Sequence, residues 1–209
     1  NIKVYASTDP DFIPEDVPVA MAAISDLKMT IVTNDPTKRY YYTLLFDDKY
    51  RVKIATRNIN IPGVQNFRDL GGYPSYSTKK QMRWGMIYRS AEIDSLECSS
   101  RRELKNLGIK TLIDLRASSE IGRQSPLQKG FNVVHIPLAT GDMEGILKGI
   151  REEKIKSDTV YRMVERMNRI LIDQYTKEYR QIFDILLDKN SYPVVIHCSS
   201  GKGRTGIVS

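Results

Sequence analysis

Tyr192-Pro193-Val194-Val195-Ile196 is a short apolar run that leads directly into His197-Cys198-Ser199-Ser200-Gly201-Lys202-Gly203-Arg204-Thr205-Gly206 and then Ile207-Val208. An apolar run of this length, closed by a glycine-rich stretch, reads as a buried strand, and the residues after the glycines read as the start of a helix. A buried strand that passes through a tight loop into a helix commits the chain around it to an α/β arrangement. In such folds ligands are met at the carboxyl ends of the strands.

The residue types of the loop fit the gripping of a phosphoryl group. Cys198 is a nucleophile only as a thiolate, and inward-facing amides together with a helix start favour an anion there. Arg204 lies six residues on and can fold back over the loop. Its planar fork can then hold two phosphate oxygens at once. Ser199, Ser200, Gly201, Lys202 and Gly203 provide the phosphate-facing backbone, which the glycines allow to curl tightly. Thr205 can hydrogen-bond the thiolate and help it leave, and His197 orients the loop. Lys202 adds positive charge where substrate phosphates collect. A bare Cys-x5-Arg is common by chance; a buried Cys beside a surface Arg is its plain alternative. What lifts this one is the agreement of His197, the loop glycines, Thr205-Gly206 and the preceding strand.

The loop resembles the signature of the protein tyrosine phosphatase superfamily. Three further blocks resemble the bacterial tyrosine/lipid phosphatase family, in that family's order: Asn66-Phe67-Arg68-Asp69-Leu70-Gly71-Gly72-Tyr73, Ile87-Tyr88-Arg89-Ser90, and Thr111-Leu112-Ile113-Asp114-Leu115-Arg116 with Glu120. The resemblance covers about residues 60 to 209. It implies a cysteine-dependent phosphatase that acts on a phosphorylated protein or a phosphoinositide through a phosphocysteine, with no cofactor and no metal. Asp69 and Asp114 are expected to support the structure by pairing with nearby arginines. One departure stands out. The family pattern has Asp immediately before the loop Arg, where this chain has Gly203. The loop as written is closer to dual-specificity and inositol-lipid phosphatases, which take their acid from an Asp on a separate loop. Asp142, in a glycine-flanked stretch after a strand-like run, is the candidate acid, with Glu144 and Asp158 behind it. Two rivals remain. One is a phosphate-binding pseudophosphatase lacking an effective acid. The other is a rhodanese-type sulfur transferase, against which Arg204 and Thr205-Gly206 argue.

The 209 residues carry 32 Lys and Arg against 25 Asp and Glu, a net charge of +7. That balance suits acidic substrates and leaves contact with a membrane surface open. No nucleic-acid motif accompanies it, so nucleic acid is not expected as a partner. Cys98 and Cys198 are far apart in sequence, which speaks against a disulfide framework, and the two histidines form no zinc-like cluster. No segment is long and apolar enough to span a bilayer. The first residue is Asn1 rather than Met, which reads as a trimmed product. With the family resemblance, it points to a secreted, periplasmic or cell-envelope location.

Two regions differ in texture. Residues 1–60 read as a small antiparallel β module, a candidate partial immunoglobulin-like domain. Strands are expected at Lys28–Thr33, Arg39–Phe46 and Tyr50–Ile61, and a proline-containing loop at Asp9–Pro18. Residues 61–209 read as an α/β catalytic domain with a central parallel or mixed sheet flanked by helices. Its strands are expected at Met86–Arg89, Thr111–Leu115, Phe131–Pro137 and Val194–His197. A capped helix is expected from Ser99 to Gly108 and one or two helices over Asp158–Leu187. A domain of this type has further helices after the loop helix, so the sequence reads as incomplete at its C-terminus.

Overall fold

The computed structural model describes residues 1–33, 35, 38–94, 97–121, 130–139, 143–152, 154–155 and 157–209. The chain forms two compact units: Asn1–Ile59 with Asp69–Met86, and Asn60–Arg68 with Ile87–Ser209.

The first unit holds four strands, β1 (Ile2–Ser7), β2 (Ala20–Ala22), β3 (Tyr41–Phe46) and β4 (Tyr50–Ala55). They form an antiparallel sheet in the order β2-β1-β3-β4. β3 has the period-2 burial of a strand with one covered face: Tyr41, Thr43 and Leu45 are buried and their alternates half-buried. Lys28–Thr33 is not a strand. It pairs with no strand among the described residues; Ile31 and Thr33 are only half-buried and Val32 is 86% exposed. β-propensity expresses itself only through packing against neighbours.

Asp69–Met86 belongs with this unit through a buried carboxylate and a stack of cations on rings. Asp69 meets the Arg39 guanidinium at 2.7 Å and accepts from the Gly71 and Gly85 amides at 2.7 and 2.8 Å. The Arg57 guanidinium lies 4.0 Å from the Tyr73 ring centroid and 5.2 Å from that of Trp84; the Arg39 guanidinium lies 4.7 Å from that of Tyr41. Trp84 lies against the Gly72 backbone, at φ +76, where a Cβ would run into the indole.

In the second unit the elements follow in the order β5 (Arg68–Asp69, at the crossing between units), β6 (Ile87–Ser90), α1 (Cys98–Asn106), β7 (Thr111–Asp114), β8 (Asn132–His135), α2 (Met143–Arg151), α3 (Ser157–Gln174), α4 (Thr176–Leu187), β9 (Val194–His197) and α5 (Gly203–Val208). The sheet order is β5-β6-β9-β7-β8, with β6, β9, β7 and β8 parallel. β7 and β9 are buried at every residue, which is why their apolar residues, Leu112-Ile113 and Val194-Val195-Ile196, stand side by side rather than alternating with polar ones. Ser90, His197 and Asp114 stand in register across the three central strands, so the loops after β6, β9 and β7 leave from one edge. α1 ends just before Gly108, but the Glu97 side chain at its start makes no capping bond.

Ile113, Leu115, Ile136, Leu138, Val194 and Ile196 from the sheet meet Leu171 of α3 and Ile182 of α4 in one core that also encloses Cys198. Tyr175 and Tyr179 donate their hydroxyls to the carbonyls of Ala139 and Leu171 at 2.8 and 2.7 Å, satisfying the polar ends of half-apolar side chains. Among the described residues no helix is long and apolar enough to cross a membrane.

Leu171 is fully buried, and Ile172 beside it is 62% exposed. Leu171→Ala is expected to lower unfolding stability by about 2–5 kcal/mol. Ile172→Ala should cost no more than about 0.5 kcal/mol. Urea unfolding of both variants checks this, and equal losses would contradict the packing.

Candidate functional site

β9 sits at the centre of its sheet and delivers His197 and Cys198 at the carboxyl edge. The chain then curls through Ser199–Lys202 and enters α5 at Gly203. Gly201 has φ +66, and a Cβ there would strike the backbone of Ser90 and Ala91. The tight approach of this loop to the end of β6 therefore needs glycine. At Gly203 the opposite holds: a Cβ would meet nothing within 4 Å.

The Cys198 side chain is free and 2% exposed. Burial pushes its thiol pKa up, but the Thr205 hydroxyl, the Thr205 and Gly201 amides and the Arg204 charge more than offset this, so it lies below the usual value. Thr205 Oγ1 is buried with no geometric hydrogen-bond partner among the described residues, and its hydroxyl is among the groups that hold the Cys198 pKa down.

Arg204 is 8% exposed and folds back over the loop. Its Nη1 and Nη2 donate to the two Glu120 carboxylate oxygens at 2.6 and 2.7 Å, a fork-to-fork pair. Nη1 also reaches the Leu115 and Leu138 carbonyls at 3.3 and 3.4 Å, at the ends of two further sheet segments. Ser199 Oγ donates to Glu120 at 2.6 Å and accepts from Arg204 at 3.2 Å. The Arg204 bond holds the Glu120 pKa down at about 2, so this carboxylate is an anion across the physiological range. Glu120 fixes where Arg204 points and is unsuited to giving up a proton. Its role was not legible in the sequence, since its partners are 79 and 84 residues away.

Beneath the loop, Asp114 forms a bidentate pair with the buried Arg116, at 3.0 Å to Nε and 2.7 Å to Nη2. Arg116 also binds Asp94. His197 Nδ1 lies 3.9 Å from Asp114, yet burial pushes the ring pKa down to about 4 in spite of that carboxylate. His197 is therefore a neutral, loop-bearing residue at neutral pH.

Cys198, Ser199, Gly201, Arg204 and Thr205 thus converge on one site, with His197 under it. Lys202 and Gly203 are exposed and Ser200 lies between Ser199 and Gly201 in the same curl. Asp69 is committed to partners within the first unit. Asp142 lies outside the described residues, as does the side chain of Glu144; Asp158 is in the first turn of α3. Among the described residues no group of three His, Cys, Asp or Glu is placed to hold a metal ion.

A family model described as "Tyrosine phosphatase family" matches residues 59–209. The triple specificity protein phosphatase PtpB of Mycobacterium tuberculosis is 29% identical over 170 residues, covering 71% of this chain and 60% of that protein. A Cupriavidus necator protein provisionally named a tyrosine-protein phosphatase is 25% identical over 149 residues, covering 70% of this chain and 53% of its own length. The chain thus spans little more than half of these curated relatives. A crystal structure of P. aeruginosa TpbA in complex with pTyr covers 66% of this chain and 64% of that chain at 16% identity. Its TM-score of 0.31 is too low to carry an argument.

The His197 and Glu120 shifts predict the acid limb of stability. Both folded-state pKa values lie below the ordinary ones, so the unfolded chain binds each proton first and stability falls as pH drops. For His197 the loss runs from 6.5 to about 4. For Glu120 it runs from 4.5 to about 2. The His197 share is on the order of 3 kcal/mol. Thermal melts of His197→Asn should show a flatter profile between pH 6.5 and 4.5 than the parent, with the steeper fall below 4.5 retained. An unchanged slope in the upper window would remove His197 from this account.

Proposed function

The chain belongs to the tyrosine phosphatase family, and from that premise we propose that it hydrolyses phosphomonoesters through a phosphocysteine on Cys198. The observation that carries the reading is a buried thiol whose pKa is nonetheless held down, inside a loop of donors and beside an arginine. The Cys198 thiolate attacks phosphorus and forms an S–P bond as the bond to the leaving oxygen breaks. Loop amides and Arg204 meet the charge on the equatorial oxygens. The leaving oxygen takes a proton from a general acid. Water then cleaves the S–P bond and releases phosphate, and Thr205 stabilises the departing thiolate.

Asp142 is our proposed acid. Glu120, the carboxylate bonded to the loop, is held ionised and cannot serve. The proposed substrates are phosphotyrosine proteins and phosphoinositides. Lys202 and Gly203 are exposed, and nothing crowds the Gly203 position, which suits a broad anionic head group. The net charge of +7 favours the same substrates. A second reading rests on Gly203. With no carboxylate at that position, a chain without another acid would bind phosphate and release product too slowly to matter.

Cys198→Ser is expected to abolish turnover of p-nitrophenyl phosphate while vanadate still binds; undiminished turnover would sink the mechanism. Asp142→Asn should lower kcat on a phosphotyrosine peptide by about a hundredfold, the scale of a lost general acid. Because Gly203 has room for a side chain, Gly203→Asp in the Asp142→Asn background should recover part of that loss. Absence of any turnover by the parent between pH 5 and 8, with vanadate binding intact, would favour the second reading.

A further inference from the structure

The loop around Cys198 is held from its outer side as well as from within. Asn66 Nδ2 donates to the carbonyls of Ser200 and Gly201 at 3.2 and 3.0 Å. Arg89 Nη2 donates to those of Gly201 and Lys202 at 2.7 and 3.3 Å. The Glu92 amide takes the Ser199 carbonyl at 3.1 Å. Four successive carbonyls therefore accept from groups that come from two other segments of the same unit. In a trans peptide the C=O and the following N–H point in opposite directions. A carbonyl pulled outward sends the next amide inward, and a run of such amides makes an anion-binding concavity.

Both donors are themselves fixed. Asn66 sits at φ +58, a left-handed conformation that Asn tolerates better than most side chains. The neighbouring Gln65 carbonyl accepts the Ala91 amide at 2.9 Å, just past β6. Phe67 stacks on Tyr88 of β6 with ring centroids 5.3 Å apart, which locks the Asn66 turn to the strand that carries Arg89. The peptide whose carbonyl Asn66 holds is the one whose amide, that of Gly201, serves the Cys198 sulfur.

We propose that Asn66 and Arg89 are positioning residues of the phosphate loop, holding the Ser200, Gly201 and Lys202 carbonyls outward and so aiming the loop amides at Cys198 and at a bound phosphoryl group. This rests on the phosphatase reading only for its second half, because the state of the thiol can be measured without any substrate.

The test is the pH dependence of Cys198 alkylation by iodoacetamide, followed by peptide mass mapping, in the parent, Asn66→Gly and Arg89→Lys. Asn66→Gly keeps the left-handed backbone and the net charge while removing the donor; Arg89→Lys keeps the charge but removes the Nη2 donor that reaches both the Gly201 and Lys202 carbonyls. The expected result is a higher midpoint for thiolate reactivity in both variants. At pH 6 this gives about a tenfold loss of alkylation rate in Asn66→Gly, equivalent to one pH unit. Vanadate affinity should weaken in parallel, with the melting temperature of Arg89→Lys near that of the parent. An unchanged alkylation midpoint in Asn66→Gly and Arg89→Lys, even alongside a lower melting temperature, would overturn the proposal and reduce both residues to packing. If phosphoester turnover proved absent in the parent, the phosphatase reading would fail while the alkylation result still decided this one.

Discussion

A sulfur atom buried in a hydrophobic core must carry a negative charge to act on phosphorus, and burial works against that charge. Cys198 belongs to the same core as Ile113, Leu138, Leu171 and Ile196. Only a dense set of donors on its open side keeps the thiol below its ordinary pKa. The parallel strands place that set. β9 brings the cysteine to the edge, while the ends of β6 and β7, in register with His197, supply the neighbouring segments.

Positive charge at the site is equally constrained. An arginine with nothing to hold it would sample many rotamers and lose entropy on binding phosphate. Glu120 removes that freedom in advance by gripping Arg204 at two points, and the Leu115 and Leu138 carbonyls close the other side. A second ionic group, Arg116 with Asp114 and Asp94, sits under the loop. Buried pairs of this kind add little net stability, but removing one partner strands a charge. Their contribution here is to fix geometry, and the neutral His197 fits beside them without adding another charge.

What could be read from the sequence was what lies close together along the chain. Cys198, Arg204 and Thr205 are separated by at most seven positions, so the loop announces its chemistry through spacing alone. The buried strands β7 and β9 and the long helical stretch were legible from side-by-side or 3.6-period apolar residues. Lys28–Thr33 misled because a strand needs a partner as well as propensity. Asn66, Arg89 and Glu120 stand 79 to 135 residues from the loop groups they bind. Their presence in family-like blocks gave no hint of these contacts, which only the fold reveals. The grouping of Asp69–Met86 with the N-terminal sheet was hidden for the same reason, since it depends on Arg39 and Arg57 meeting Asp69, Tyr73 and Trp84.

The most direct measurement of the central claim is a rapid acid quench of the enzyme during turnover of a radiolabelled phosphotyrosine peptide, followed by proteolysis and mapping of the label. The account predicts a transient phosphoryl group on the peptide containing Cys198, lost on treatment that cleaves S–P bonds. Turnover with label on Ser199 or Ser200, or with no protein-bound label at any quench time under conditions that trap thiophosphates, would contradict it.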